Sequence, residues 1–249
     1  PPPLEDYAFL SDTQTGALVS RDGSIDWLCL PRFDSPAMFA ALLGTPEQGH
    51  WQIRPASPTA RVRRRYRGDS LVLETEFTTA DGVVRLVDFM PVRGVAPDVV
   101  RIVEGVRGRV PIRMELRLRF DYGHIVPWVR RVHGALYAVA GPDSVWLRTP
   151  VALRGENFAT LADFTVSEGD RVPFVLTWQP SHLPEPTPVD PVAALEDTET
   201  WWADWLAPLT YEGPWREPVV RSLVTLKGLT YAPTGGMVAA PTTSLPERL

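Results

Sequence analysis

The sequence contains a single cysteine, Cys29, among its 249 residues, so no disulfide can form within the chain. Cys29 lies in the largely apolar run Ile25 to Leu30, where a small buried side chain is a better interpretation than a reactive nucleophile. The four histidines are scattered, and none follows the paired His or Cys spacing of a zinc site. We therefore expect neither a metal ion nor any other cofactor.

Long apolar runs and an excess of basic charge are also missing. No uninterrupted apolar stretch reaches the roughly 20 residues that span a bilayer, and the N-terminus has no basic segment followed by an apolar core. The formal net charge of −5 provides no overall field for nucleic acid or anionic lipid. We expect a cytoplasmic protein that contacts neither membrane nor nucleic acid, although removal of a leader would leave the same sequence.

The short motifs of common catalytic sites are absent as well. The sequence has no phosphate-binding Gly-x-x-x-x-Gly-Lys-Ser/Thr motif, no strand-linked Gly-x-Gly-x-x-Gly and no Gly-x-Ser-x-Gly nucleophile turn. No pair of carboxylates can be assigned to acid–base chemistry. Glu74 and Glu76 share one face of a predicted strand, which is the ordinary pattern of an exposed strand.

Most of the first 180 residues are predicted to form β-strands. Between Ile112 and Phe120, apolar and charged residues alternate, as in a strand with one buried and one solvated face. Asp22–Gly23 and Asp81–Gly82 favour hairpin turns, and Arg107–Arg109 is predicted to be another tight connection. Many short strands without alternating helices predict a mainly β fold, a large antiparallel sandwich of two sheets over residues 1–179.

The composition changes after this predicted sandwich. Residues 180–213 are predicted to be a linker, stiff at first because prolines recur there, and then a linker helix. Asp190 is a suitable N-cap for this helix, with Pro191 at its first position. Trp201, Trp202 and Trp205 follow at helical spacing, which favours packing in the core or against a neighbouring domain over a stacking platform.

A second helix is predicted over Glu217 to Ala232, ending before Pro233 and Gly235–Gly236. Its apolar residues, which spread around more than half of the circumference, are Val219, Val220, Leu223, Val224, Leu226, Leu229 and Tyr231. Such a helix packs on several sides. We expect it to dock on the sandwich or on another chain, or to belong to a larger helical domain, because exposing that surface would cost several kcal/mol at roughly 25 cal/mol per Å².

Arg61 to Asp69 forms a locally basic stretch that contains an aromatic residue. Contact with phosphate or nucleic acid is one interpretation. The favoured interpretation is a strand whose outer face carries arginines, some of them paired with Glu74, Glu76 and Asp69, because the overall charge is negative and one basic strand is a weak signal.

Val19 to Gly44 is dense in Asp, Trp, Arg and Phe. Pro31 to Pro36 is predicted to be a loop, and Asp34–Ser35 would cap a short helix over Ala37 to Gly44. Exposed carboxylates, arginines and aromatic rings also form sugar-binding surfaces. The residues themselves favour the structural interpretation and leave sugar contact open.

Four long segments occur in one order along the chain: Ala17 to Gly44, Arg63 to Phe77, Leu116 to Gly123 and Val220 to Glu247. Together they resemble bacterial glycoside hydrolase family 15, the glucoamylase and trehalase-like group. This resemblance implies an N-terminal β-sandwich, a linker with helices, and a catalytic (α/α)6 barrel that hydrolyses α-glucosidic bonds with inversion. Residues 214–249 would then be the first helix and loop of that barrel, which is incomplete in this chain.

The resemblance also determines which site residues are predicted. In the family, one glutamic acid protonates the leaving oxygen and a second glutamate activates water. Both belong to the barrel beyond the matched segments, so no catalytic residue is assigned here. The residues predicted to border the sugar pocket are Pro241, Thr242, Thr243, Ser244, Glu247, Arg32 and Asp34.

The sequence is compatible with two functions. The first is the non-catalytic N-terminal portion of an inverting α-glucoside hydrolase of trehalase or glucoamylase type, inactive alone. Its partner would be the catalytic barrel and, through it, an α-glucoside, with trehalose slightly favoured. The second is a free-standing β-sandwich module that binds carbohydrate or docks a partner. Assembly into a homo-oligomer stays open.

Overall fold

The structure, a computed structural model, describes residues 2–246. Its helices and strands are β1 (Ala8–Ser11), β2 (Gly16–Val19), β3 (Ser24–Cys29), β4 (Ala37–Phe39), β5 (His50–Pro55), β6 (Thr59–Tyr66), β7 (Leu73–Thr79), β8 (Gly82–Phe89), β9 (Asp98–Arg117), β10 (Trp128–Val132), β11 (Ala135–Ala140), β12 (Asp143–Arg148), β13 (Arg154–Glu156), β14 (Ala159–Ser167), β15 (Arg171–Pro180), α1 (Pro191–Leu206), α2 (Arg216–Gly228), β16 (Thr230–Tyr231) and β17 (Gly236–Met237). The predicted mainly β, antiparallel architecture is confirmed.

The strands before α1 form two antiparallel sheets that share one long strand, β9. Sheet A has the order β1-β2-β3-β5-β9-β14-β13, with β4 added beside β3. Sheet B has the order β6-β7-β8-β9-β15-β12-β11-β10. The first part of β9 lies between β8 and β15, and its second part lies between β5 and β14. One strand therefore connects the two layers of the sandwich.

The predicted tight connection at Arg107–Arg109 is wrong, because β9 continues through it. Gly108 has a positive φ of 75°, and the pairing of β8 with β9 shifts register two residues away, between Arg107 and Gly105. A glycine with positive φ serves a β-bulge as well as it serves a turn. At Gly105 a Cβ atom would lie 1.9 Å from the Ser167 carbonyl oxygen, so the strand can cross between sheets here only with glycine.

The main core lies between the two sheets. The alternation predicted after Ile112 is confirmed, because Ile112, Met114 and Leu116 are buried in this core and Arg113 is exposed. The exception is Arg119, which the pattern places on the solvated face but which is only 5% exposed.

A buried ion pair lies in this core. Arg101 on β9 is the register partner of Asp88 on β8, and both side chains are fully buried. Arg101 donates hydrogen bonds to Asp88 Oδ1 at 2.8 Å, to the carbonyl oxygen of Trp51 on β5 and to that of Gly23 in the turn before β3, so both carbonyl groups lie on the sheet A side. Burial raises the pKa of Asp88, and the neighbouring guanidinium opposes that rise. Arg101 thus ties sheet B to sheet A.

The helices pack on the outside of the sandwich. Ala194 and Leu195 of α1 contact the outer face of sheet B in a cluster that includes Val87, Val100 and Val175. The predicted N-cap is confirmed, because Asp190 Oδ1 accepts hydrogen bonds from the Val192 and Ala193 amides. In the part of the chain that the structure describes, no helix is long and apolar enough to cross a membrane.

Trp202 is buried beside Leu71, Val220 and Val224, with Trp201 and Trp205 packed edge-on around it. The predicted packing role of these tryptophans is confirmed. Helix α2 therefore docks on the sandwich along one side, whereas Leu226 on another side is 45% exposed. The predicted helix ran to Ala232, but α2 ends at Gly228 because Thr230–Tyr231 pairs with Gly236–Met237 in a hairpin.

The short helix predicted over Ala37 to Gly44 is also wrong. Residues Ala37–Phe39 form β4, which pairs with the end of β3, and only a single 3-10 turn follows at Ala41–Leu43. Strand β5 pairs only with the beginning of β3. The edge of β3 that faces β5 is therefore free at its end, where β4 pairs instead. Tertiary strand pairing therefore overrides the local helix signal.

We predict that Arg101→Met destabilises the chain by about 3–5 kcal/mol, because it leaves the Asp88 carboxylate buried without its opposite charge and removes a donor from two carbonyl oxygens. Urea unfolding followed by tryptophan fluorescence measures the change. The matched control is Arg113→Met on the exposed face of the same strand, which should stay within about 0.5 kcal/mol of the parent. Equal stabilities of the two variants would contradict this assignment.

Candidate functional site

The loop that follows β17 docks on the outer face of sheet A. Trp27 Nε1 donates a hydrogen bond to the Pro241 carbonyl oxygen at 2.9 Å, and the Tyr122 hydroxyl donates to the Ser244 carbonyl oxygen at 3.1 Å. Leu245 packs on the buried cluster that contains Trp27 and Cys29. Side chains far apart in sequence thus hold the loop that was predicted to border a sugar pocket.

Cys29 lies beneath this loop, with its Sγ atom 3.3 Å from Ser244 Oγ. The side chain is buried and forms no disulfide. Burial raises the pKa of the Cys29 thiol to about 12, against a smaller opposite effect of the Ser244 hydrogen bond. A protonated, covered thiol is a packing group, which confirms the structural interpretation of this residue.

The end of α2 is fastened to the turn between β1 and β2. The Ser11 hydroxyl donates to the Gly228 carbonyl oxygen at 2.7 Å, and the Ala232 amide donates to the Thr13 carbonyl oxygen at 2.8 Å. A Cβ atom at Gly228 would lie 2.6 Å from Leu71 Cδ1 and 2.9 Å from a ring carbon of Phe9. Glycine therefore lets the helix approach the sandwich this closely.

Asp12 organises the same turn from inside. Its Oδ1 atom accepts hydrogen bonds from the amides of Gln14 (2.9 Å) and Thr15 (2.8 Å), and its Oδ2 atom pairs with Arg93 at 2.7 Å. Burial raises the pKa of Asp12, while Arg93 and the two amides favour the charged form. Arg93 thus balances the charge of Asp12, and the hydrogen bonds to Asp12 make the turn a rigid support.

The loop Pro31 to Pro36 attaches to this support as well. The Phe33 amide donates to the Gln14 carbonyl oxygen at 3.0 Å, and the Phe33 ring is buried. Arg32 and Asp34 form an exposed bidentate ion pair, with Nε–Oδ1 and Nη2–Oδ2 distances of 2.9 and 3.0 Å. The Asp34 carboxylate raises the pKa of Arg32. Asp34 pairs with Arg32 and caps no helix.

The predicted border residues therefore fall in two loops that attach near the end of β3. Ser244 contacts Cys29, the last residue of β3, and the Arg32–Asp34 pair begins three residues after it. Glu247 lies outside the described residues. The sequence reasoning missed the residues that hold these loops, which are Ser11, Asp12, Trp27, Arg93 and Tyr122. Among these residues only Trp27 could be recognised from its neighbours in sequence, because it is an aromatic residue inside an apolar strand.

Ion pairs account for two of the five arginines of the basic stretch. Arg65 and Arg67 each donate to Glu74 at 2.6 Å, as the structural interpretation predicted. Glu74 is buried, so its predicted place on an exposed strand face is wrong. Burial raises the pKa of Glu74, but the two arginines outweigh it and hold this pKa below its ordinary value.

The other predicted partners of this stretch are different in the structure. Glu76 pairs with Arg85 at 3.4 Å, and Asp69 pairs with Arg216 of α2 at the same distance. Glu76 lies opposite both Arg63 on β6 and Arg85 on β8 in the sheet, and its ion pair forms with Arg85.

Comparisons with known proteins agree with this architecture. Residues 1–178 match a family model described as "Trehalase-like, N-terminal". A protein named trehalase from Mycolicibacterium smegmatis is 35% identical over 99% of this chain, and one from Thermoplasma volcanium is 30% identical over 100% of it. The chain spans 41% of the length of each of these relatives.

Among solved structures, a bacterial glucoamylase complexed with acarbose aligns with a TM-score of 0.61. The alignment covers 90% of this chain and 40% of the glucoamylase chain, at 10% sequence identity. At this identity the match shows a shared fold.

We predict that native Cys29 reacts very slowly with the thiol reagent DTNB at pH 8. With a thiol pKa of about 12, the thiolate fraction at pH 8 is on the order of 10⁻⁴. Reaction should be at least about 100-fold faster in urea, where the thiol is exposed and its pKa is ordinary. Rapid reaction of the native chain would contradict the described burial.

The same reaction reports on loop docking. Tyr122→Phe removes the donor to the Ser244 carbonyl oxygen, which should weaken docking by about 0.5–1.5 kcal/mol and speed the Cys29 reaction roughly 2- to 10-fold. The matched control is Tyr211→Phe, because Tyr211 lies between α1 and α2, away from this loop. This variant should leave the rate of the Cys29 reaction unchanged. An unchanged rate in Tyr122→Phe would show that this hydrogen bond does not hold the loop.

Proposed function

The chain belongs to the trehalase-like N-terminal family, and we propose that it is the non-catalytic N-terminal portion of an inverting α-glucoside hydrolase. The proposal is supported by relatives named trehalases, of whose length this chain spans 41%. The larger part of such a protein would supply the catalytic domain. The structural observation that carries the proposal is the fixed attachment of α2 and the following loop to the sandwich.

In this proposal, residues 1–179 are the sandwich domain, residues 180–213 the linker, and residues 214–249 the beginning of an (α/α)6 barrel. The surface of α2 supports this division. Val220 and Val224 are buried against the sandwich, whereas Leu226 and the preceding Trp215 are largely exposed. The remaining barrel helices would cover these exposed residues and complete the packing of a helix that is apolar on several sides.

The sandwich would act by positioning the wall of the sugar pocket. A free loop samples many conformations, and ordering it when substrate binds lowers affinity. Here Trp27 and Tyr122 hold the loop backbone at Pro241 and Ser244 before any substrate arrives. The proposed wall consists of Pro241, Thr242, Thr243 and Ser244, with Arg32 and Asp34 on the neighbouring loop.

The chemistry of the wall suits sugar hydroxyl groups. Asp34 accepts hydrogen bonds and Arg32 donates them, and the exposed pair can exchange its mutual contacts for contacts to a sugar. The acid and the base of an inverting hydrolysis are assigned to the barrel, where the two carboxyl groups must leave room for the attacking water. Asp12, Glu74 and Asp88, which are buried carboxylates of this chain, are each paired with arginine and serve the fold.

Trehalose is the proposed substrate of the whole enzyme, since the relatives are named trehalases. Malto- and isomalto-type linkages are the alternatives, because barrel loops would distinguish them. A cytoplasmic location stays a prediction.

We predict that the isolated chain releases no glucose from trehalose or from maltooligosaccharides. A coupled glucose assay over several hours, with heat-denatured chain as the blank, measures this. Glucose release that co-purifies with the chain and is lost in Asp34→Asn would place a catalytic site within these residues and contradict the proposal.

A further inference from the structure

An open cleft lies between the free edges of the two sheets, away from the loops described above. One wall is β10 at the edge of sheet B, and the other is the hairpin of β13 and β14 at the edge of sheet A. The cleft has a volume of about 490 Å³, and buried leucines, among them Leu118 and Leu136, form its floor. This size and this apolar floor are typical of a site for a small organic ligand.

Two exposed aromatic rings border the cleft. Trp128 at the start of β10 is 85% exposed, and Phe158 is 80% exposed. Asn157 and Phe158 form the two-residue turn of the β13–β14 hairpin, with φ values of 49° and 57°. Glycine is favoured at the second position of such a turn, and a bulky residue is strained there. The chain thus keeps an exposed ring in a strained position, which stability alone does not explain.

The cleft also holds a buried positive charge. Arg119 is 5% exposed and lines the cleft. Its Nη1 atom donates to the carbonyl oxygens of Leu118 and Phe158. Within residues 2–246 no carboxylate lies within 4 Å of it. Burial lowers the pKa of Arg119 and the nearby Arg117 lowers it further, against a smaller opposite effect of Glu47, which pairs with Arg117. A desolvated guanidinium with no carboxylate in direct contact is unfavourable unless a ligand supplies one.

Most of the other charged residues of the cleft are also arginines. Arg130 and Arg131 on β10 also line it, and neither has a carboxylate partner among the residues that the structure describes. Arg154 is already paired with Asp163, and Glu156 is the acidic residue of the lining. The local excess of positive charge contrasts with the net charge of −5 of the whole chain. It favours an anion over a neutral ligand.

We propose that this cleft binds a small organic anion that carries a ring with an apolar face. The anionic group pairs with Arg119, and the ring packs between Trp128 and Phe158 over the leucine floor. A second copy of the chain is a poorer occupant, because symmetric pairing of two β10 edges would bring Arg130 and Arg131 of both copies together. The inference does not depend on the proposed hydrolase function.

Isothermal titration calorimetry with four anionic probes and neutral glucose tests the proposal on the full chain. Glucuronate and glucose 6-phosphate combine a ring with a carboxylate or a phosphate group, benzoate combines an aromatic ring with a carboxylate, and inorganic sulfate has no ring. We expect at least one ring-bearing anion to bind at least about tenfold more tightly than sulfate and than neutral glucose. Whether the tightest probe carries a carboxylate or a phosphate shows which anionic group the cleft prefers. No such preference would overturn the proposal.

Two variants locate the binding. Arg119→Met should weaken the binding of the best probe by about tenfold or more through loss of the charge pair. Phe158→Gly should weaken it as well while relieving the strained turn, so a loss of binding in this variant cannot be ascribed to unfolding. Arg113→Met, an exposed arginine outside the cleft, is the control and should bind normally.

Two outcomes would overturn the assignment. The first is parental affinity in both Arg119→Met and Phe158→Gly. The second is light scattering that shows the parent chain as a dimer and Phe158→Gly as a monomer, because the cleft would then be an interface between copies.

Discussion

The contact between Arg101 and sheet A is the constraint on which the rest of the structure depends. Strand β9 belongs to both sheets, and Arg101 leaves its own sheet to donate hydrogen bonds to the carbonyl oxygens of Trp51 and Gly23. Its charge is balanced by Asp88 within the core. A buried pair of this kind contributes little stability relative to apolar packing, but breaking it is costly, so it defines how the two sheets face each other.

That relative position determines everything attached to the outside. The β1–β2 turn belongs to sheet A, whereas the cluster around Trp202 joins α1 and α2 to Leu71 before β7 of sheet B. Helix α2 contacts both, through Ser11 on one side and Leu71 on the other. Because the loop at Pro241–Ser244 follows α2, it reaches Trp27 and Tyr122 only when the end of α2 is held at Ser11 and Leu71. The sandwich is therefore a frame that fixes a short helical segment and its loop.

Local chemistry predicted some of this well. The Asp190–Pro191 helix start, the turn at Asp81–Gly82 and the alternation after Ile112 depend on neighbours in sequence, and the structure confirms them. The strand at Ala37–Phe39 was missed because its hydrogen bonds come from β3. The burial of Arg119 was missed because nothing in an alternating pattern distinguishes a solvated arginine from one that lines a cleft.

The candidate site shows the same difference between what neighbouring residues predict and what only the complete fold determines. The motifs near Arg32 and Pro241 identified the two loops and the family, since long segments in one order are specific. The side chains that hold the loops could not be predicted, because Tyr122 and Ser244 are brought together only by the complete fold. In the same way, the need for glycine at position 228 appears only when α2 lies against Phe9 and Leu71.

The central claim is that α2 and the residues after it form one folded unit with the sandwich. Hydrogen–deuterium exchange of the isolated chain, resolved at single amides, tests this most directly. The Ala232 amide donates to Thr13 and the Val238 amide donates to Leu229. The account predicts that both exchange much more slowly than the amide of Val95, a loop residue whose side chain is fully exposed. Exchange of Ala232 and Val238 as fast as that of Val95 would contradict it.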